Sequence, residues 1–222
     1  MLPRTVISIS FNGVFDMKNL KIYTSDFLSF CFLENVLASL ARERKVSNFE
    51  ILCSESEHLS DFDAYFLAYE LGVKDFQHEV LHESRIGLYA SSDYLERVGE
   101  PKKMEDLLNH NVIRCRDTHV VQALGVKKFG TIKEYVPLFY KDKYIEVDSA
   151  NSQLHLGEMG LGLIPMTGLL YKKINPKLLR IAPLEGEDEF VYRRYTFGYH
   201  QKHRSHPLIK NLFTDLQNAL LS

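Results

Sequence analysis

Apolar and polar positions along this chain repeat with two periods, and the period changes every ten to twenty residues. Residues 18–24, KNLKIYT, alternate as a short strand. Ser25-Asp26 then opens FLSFCFLENVLASLARERK, in which Phe30, Leu33, Leu37 and Leu40 recur at helical spacing. Arg42, Arg44 and Lys45 close that stretch, where cations suit the end of a helix dipole. NFEILCSE sets Phe49, Ile51 and Cys53 on one face of a strand, and DAYFLAY at 63–69 suits a strand covered on both faces. FQHEVLHES at 76–84 alternates with Phe76, His78, Val80 and His82 on one side, and the strand-forming RIGLYAS follows. Two short helices, DYLERVG and KKMEDLLNH, lead to a strand NVIRC and an aromatic-rich strand region at 132–147. Asp148-Ser149 caps a helix that stops at Gly160. LGLIP reads as a strand ended by Pro165, and TGLLYKKI as a helix halted at Asn175-Pro176. LLRIAPL and RRYTFGYHQ are further strands. Ser205 and Pro207 then open a last helix with one stripe of Ile209, Leu212, Phe213, Leu216 and Leu220. Strands alternate with helices throughout, so the predicted class is α/β with mostly parallel pairing.

Composition narrows the function classes. A chain of 222 residues can bury one large core or two small lobes, and 45% hydrophobic with 25% charged residues is ordinary for a globular protein. A net charge of -2 offers no electrostatic grip on a phosphate backbone. Cys31, Cys53 and Cys115 are an odd, widely spaced set, which reads as reduced thiols rather than a disulfide framework. In MLPRTVISISFNGVFDM, Ser8, Ser10 and Asn12 interrupt any secretory apolar core, and no run is long enough to span a bilayer. The expected location is the cytoplasm, with no membrane contact.

HEVLH, residues 78–82, matches the zinc-peptidase pattern H-E-x-x-H. That chemistry needs His78 and His82 one helical turn apart, with Glu79 as base for a zinc-bound water. The period-2 pattern argues instead for a strand, in which the two imidazoles lie about 13 Å apart. No metal or other cofactor is therefore expected, and no set of residues at defensible spacing suggests a catalytic site. The zinc peptidase stands as the enzymatic alternative.

Three stretches resemble the effector-binding domain of LysR-type transcriptional regulators. GLYASSDYLERVGEPKKMEDLLNHNVIR at 87–114 is similar to that family's "ASPxYL…GxP…DLxxH" segment, with Ala90, Ser91, Tyr94, Leu95, Gly99, Pro101, Asp106, Leu107 and His110 in register. VDSANSQLHLGEMGLGLIP at 147–165 looks like its helix followed by "GxGxxxLP". YTFGYHQKHRSHPLIKNLFTDL at 195–216 looks like its closing strand, basic turn and last helix. With KNLKIYTSDF near the start, the likeness runs over residues 18–222. It implies two Rossmann-like lobes joined by two crossover strands, as in type 2 periplasmic binding proteins. After an N-terminal extension at 1–17, lobe one takes 18–90 and 197–222, and lobe two takes 91–196.

The resemblance also implies a function: sensing of a small polar metabolite, with a carboxylate as default, in the cleft between the lobes. Thr24, Ser25 and Asp26 would hold the effector from lobe one, with Asp26 opposing anions. Ser149 and Asn151 would form the second wall, Ser91 would line the pocket at the crossover, and Gly162 would permit close approach at the cleft floor. Read plainly, Thr24-Ser25-Asp26 and Ser149-Ala150-Asn151 are helix caps, and the pair Gly160-x-Gly162 is a helix stop plus a tight approach. Where the family often reads "D-L-A-I-R", this chain has Asp63-Ala64-Tyr65-Phe66-Leu67, so Leu67 replaces the arginine. Arg116 beside Asp117 is either a surface ion pair or the replacement cation. His200, Lys202, His203, Arg204 and His206 read as a solvated basic turn. The family pairs as homodimers through a lobe-one helix, and the apolar excess of FLSFCFLENVL agrees with that. DNA would be reached only through a helix-turn-helix, for which these residues have no counterpart. A stand-alone solute-binding protein is the second alternative.

Overall fold

The computed structural model describes residues 6–10, 20–43, 48–53, 62–115, 144–182 and 192–221. They divide into two compact units, residues 1–83 with 194–222 and residues 84–193. The chain changes unit inside two strands, at Glu83–Ser84 within β5 (Phe76–Ala90) and at Arg193–Arg194 within β10 (Tyr192–His200).

In the first unit, β2 (Leu20–Thr24) lies between β3 (Asn48–Leu52) and β4 (Ala64–Leu67), parallel to both. β1 (Val6–Ser10) adds antiparallel to β3, and β10 runs antiparallel to β4. The strand order is β1-β3-β2-β4-β10-β5. Residues 6–10, within the expected N-terminal extension at 1–17, form β1. Described pairings are parallel in β2·β3, β2·β4 and β6·β7 but antiparallel in β1·β3, β4·β10, β5·β8 and β5·β9. The expectation of mostly parallel pairing is corrected on this point. Helical crossovers make parallel neighbours, whereas β10 brings the chain back in the direction opposite to β4.

The long amphipathic stretch forms α1 (Asp26–Leu28), a π-turn (Ser29–Leu33) and α2 (Glu34–Arg42) without a break. It buries Phe27, Leu28, Cys31, Phe32, Leu33, Val36, Leu37, Leu40 and Ala41. Phe30, expected on the apolar stripe, is 66% exposed, because the extra residue of the π-turn rotates it off that face. The last helix, α6 (Pro207–Leu221), packs against α2 and buries Leu208, Ile209, Leu212, Leu216 and Leu220.

The second unit buries both faces of a small sheet. The later half of β5 pairs antiparallel with β8 (Ile164–Thr167) and with the two-residue β9 (Leu179–Arg180), while β6 (Val112–Cys115) runs parallel to β7 (Tyr144–Val147). Because side chains alternate along strands, Leu88, Ala90, Val112 and Leu163 pack on one face with Tyr94, Leu107 and Ile181. Their neighbours Tyr89, Ile113 and Ile164 pack on the other with Met166 and Leu178. Pro165 lies inside β8 rather than ending it. It faces Leu88, whose carbonyl accepts from the Ile181 amide at 2.9 Å, so the ladder needs no donor from Pro165 there. The helices are α3 (Ser92–Val98), a 3-10 segment (Met104–Asn109), α4 (Ala150–Glu158) and α5 (Gly168–Ile174). Asn175, in the left-handed region at φ 49°, ends α5. Of the expected strand region 132–147, residues 132–143 lie outside the described residues.

Candidate functional site

Each described α-helix of the second unit, and the α1 start of the first, begins on a Ser or Thr whose hydroxyl accepts an amide of the opening turn. Ser25 accepts from Leu28 N at 3.3 Å, Ser91 from Tyr94 N at 3.2 Å, Ser149 from Ser152 N at 3.4 Å and Thr167 from Leu170 N at 3.4 Å. A cap satisfies one free amide and leaves its neighbours pointing outward, where a ligand's acceptor group can meet them.

In the first unit, Thr24 ends β2 and is buried, and its hydroxyl donates to the Phe66 carbonyl at 2.7 Å, stitching β2 to β4. Ser25 and Asp26 follow at the C-terminal end of that parallel strand, where open α/β sheets present ligand-binding groups. Asp26 is exposed. Two further groups belong here that the sequence did not single out for function. Cys53 follows β3, the parallel neighbour of β2, and its thiol is pushed up to about 12. Burial is the main cause, the charge of Asp26 and a hydrogen bond to it add to it, and a hydrogen bond with Ser29 opposes. Ser29 is buried and donates to Glu34 Oε1 at 3.1 Å. The usable signal for Cys53 was its place just after a strand parallel to β2.

In the second unit, Ser91 is buried beside Gly160, where an added Cβ would come within 3.1 Å of its hydroxyl. Gly160 lies just past the C-terminal end of α4, whereas Ser149 and Asn151 lie at its start. A nine-residue helix is roughly 13 Å long, so these two sets of residues are not brought together. Asn151 is exposed, and the first turn of α4 carries no acidic side chain. Gln153 fixes the helix to β6 through a 2.7 Å bond to the Ile113 carbonyl. Gly162 is held by packing, since a Cβ there would meet the Asn111 carbonyl oxygen at 2.7 Å. Arg116 lies outside the described residues. Arg114, two residues earlier, is 2.7 Å from Glu146 and lies over the Tyr144 ring.

The HEVLH segment is strand, as its alternation predicts, although the burial does not alternate cleanly: Phe76 and Leu81, of opposite parity, are both buried. His78 pairs with Glu70 at 2.7 Å and His82 lies against the Tyr195 ring. The helix on which zinc-peptidase chemistry depends is not there. No group of three or more His, Cys, Asp or Glu that could hold a metal occurs among the described residues. No described helix is long and apolar enough to cross a membrane.

Two α/β units traversed by two strands, with hydroxyl-capped helix starts at strand ends, define a binding-protein architecture. The family model of the LysR substrate binding domain matches residues 16–220, and the chain belongs to that family: it is a LysR-type regulatory, effector-binding domain. The regulatory domain of CrgA, a LysR-type transcriptional regulator from Neisseria meningitidis, is similar in fold at TM-score 0.69 and 16% identity, over 91% of this chain and 98% of that one. The longer CrgA structure matches at 0.71 and 17%, over 92% and 69%. The effector binding domain of QuiR in complex with shikimate matches at 0.61 and 11%, over 90% and 95%. No curated protein sequence matches the chain. The fold is the two-lobed, periplasmic-binding-protein-like fold of LysR regulatory domains, and the family is one of transcription regulators, not a known enzyme family.

Proposed function

We propose that this domain recognises a small polar metabolite bearing a carboxylate and performs no reaction on it. The observation that carries this reading is the family match over residues 16–220, joined to the open helix starts at Ser25 and Ser149. The carboxylate is assigned to the start of α4, where Ser149 caps a first turn that carries Asn151 and no acidic residue. At the Ser25 start, the exposed Asp26 side chain disfavours an anion and favours a hydroxyl or amine. Shikimate, named as the ligand of QuiR, is a compound of this kind.

Binding would shift the populations of the domain's conformations, and a helix-turn-helix module joined to it would read that shift in the cytoplasm. The domain acts as a homodimer. Phe30 is exposed beside Asp26 and Glu34, and α5 buries none of its residues fully while exposing Lys172 and Lys173, a surface of complementary charge. Phe30→Glu is expected to leave monomers in sedimentation at micromolar concentration.

A thermal-shift screen of hydroxy and amino carboxylates tests the ligand, because a compound preferring the folded state raises the midpoint. Ser25→Ala and Ser149→Ala each remove a cap, at about 0.5–2 kcal/mol, so each variant is compared with its own ligand-free midpoint. The expected result is a shift seen in the wild type and cut by both substitutions. A screen without shifts, or shifts indifferent to both hydroxyls, would overturn the reading.

A further inference from the structure

We propose that the π-turn at Ser29–Leu33 is a two-register element that links the Ser25 helix start to the surface carrying Phe30. Three observations meet there. The Glu34 amide donates to the Ser29 carbonyl, spanning five residues where an α-helix spans four, so the run from 26 to 42 holds one residue more than a straight helix needs. The Ser29 hydroxyl, itself buried, donates to the Glu34 carboxylate across the same turn and latches it. The extra residue leaves Phe30 66% exposed while Phe27, three positions earlier, is 9% exposed.

Straightening the helix would let the Phe30 carbonyl replace that of Ser29 as acceptor for the Glu34 amide. Every residue from 26 to 30 would then step into the place of its predecessor. Asp26 would take the capping position now held by Ser25, and aspartate caps about as well as serine. Phe30 would turn inward to the buried place of Ser29, and Phe27 outward to the exposed place of Asp26. The sequence SDFLSF therefore offers two caps in succession and two phenylalanines that exchange roles, so each register keeps one cap and one buried phenylalanine. A group bound to the Ser25 hydroxyl or the amides behind it engages one register better than the other, and that difference is what a ligand needs to shift the pair. The consequence appears on the outer face as an exposed or a withdrawn Phe30.

The coupling to a metabolite rests on the function proposed above, but the two registers do not, and they can be tested without any ligand. Relaxation dispersion on the ligand-free wild-type protein should show millisecond exchange at the amides of residues 26–34. Asp26→Ala removes the second cap from an exposed position and should abolish that exchange. Because the chain has no tryptophan, Phe30→Trp supplies a single reporter. Its emission should be that of an exposed indole, and should move to the blue with acrylamide quenching falling severalfold when Ser25→Ala is added. Flat dispersion in the wild type, exchange that survives Asp26→Ala, or an indole indifferent to Ser25→Ala would each overturn the register element. A metabolite that binds a protein with flat dispersion would remove this inference and leave the proposed function standing. Exchange in a protein that no metabolite shifts would do the reverse.

Discussion

Tyr65 lies across Gly198. The two face each other in the antiparallel pair β4·β10, and the tyrosine ring fills the space a side chain on Gly198 would need. The Tyr65 hydroxyl, reaching past the glycine, accepts from the Leu71 amide at 3.3 Å and so anchors the turn after β4. Burial, the main cause, pushes that phenol well above its ordinary range.

Gly198→Ala should therefore destabilise the first unit even though the backbone there is ordinary extended strand. The added methyl must displace a fully buried ring, and overpacking of this kind costs about 1–3 kcal/mol. At roughly 2–4 °C per kcal/mol for a chain of this size, thermal unfolding should show the loss directly. Restoration of the midpoint by a second change, Tyr65→Leu, would locate the clash; no loss at all would show that the ring is free to move.

Asp63 should make stability depend on acid. Burial by itself would raise its carboxyl, but the Lys21 amide at 3.1 Å, His203 at 2.8 Å and Lys202 at 3.3 Å together hold it below the ordinary value. A depressed folded value means that the stabilisation is present above the unfolded carboxylate pKa, about 4, and is lost as pH falls through the folded one. Urea midpoints of the wild type should fall over that acid window more steeply than those of Asp63→Asn. Parallel curves would count against the assignment.

The Cys53 thiol should resist alkylation. With its pKa near 12, the thiolate at pH 8 amounts to roughly one part in ten thousand, and thiolate is the nucleophile. Asp26→Asn removes a neighbouring charge that holds the thiol up, so iodoacetamide labelling at Cys53, followed by peptide mass spectrometry, should quicken. Unchanged labelling would mean that burial alone controls the group.

Zinc should not be retained through HEVLH. His78 and His82 stand on a strand and have other partners, Glu70 and the Tyr195 ring. After chelation and dialysis, the metal content of the wild type should equal that of His78→Ala. A stoichiometric zinc lost in the variant would reverse this.

What could be read locally was read from local causes. The Ser25 and Ser149 caps, the Asn175-Pro176 stop and the α6 stripe each depend on a few adjacent residues, and the strand nature of HEVLH follows from its period. The LysR resemblance rested on motif order, which survives at identities where no single residue is informative. What failed was set by contacts distant in sequence. Strand direction depends on the path by which β10 returns, and Pro165 is tolerated because the Leu88 carbonyl accepts from the Ile181 amide instead.

By itself, then, the order of residues determined the element types, most helix starts and the family, because each is a matter of neighbours a few positions apart. The tertiary structure alone decided that Cys53 meets Asp26, that one surplus residue turns Phe30 to solvent, and that Gly198 must stay bare beneath Tyr65. Parallel pairing, a helical register and ring packing each join parts of the chain, or degrees of freedom, that no local pattern encodes.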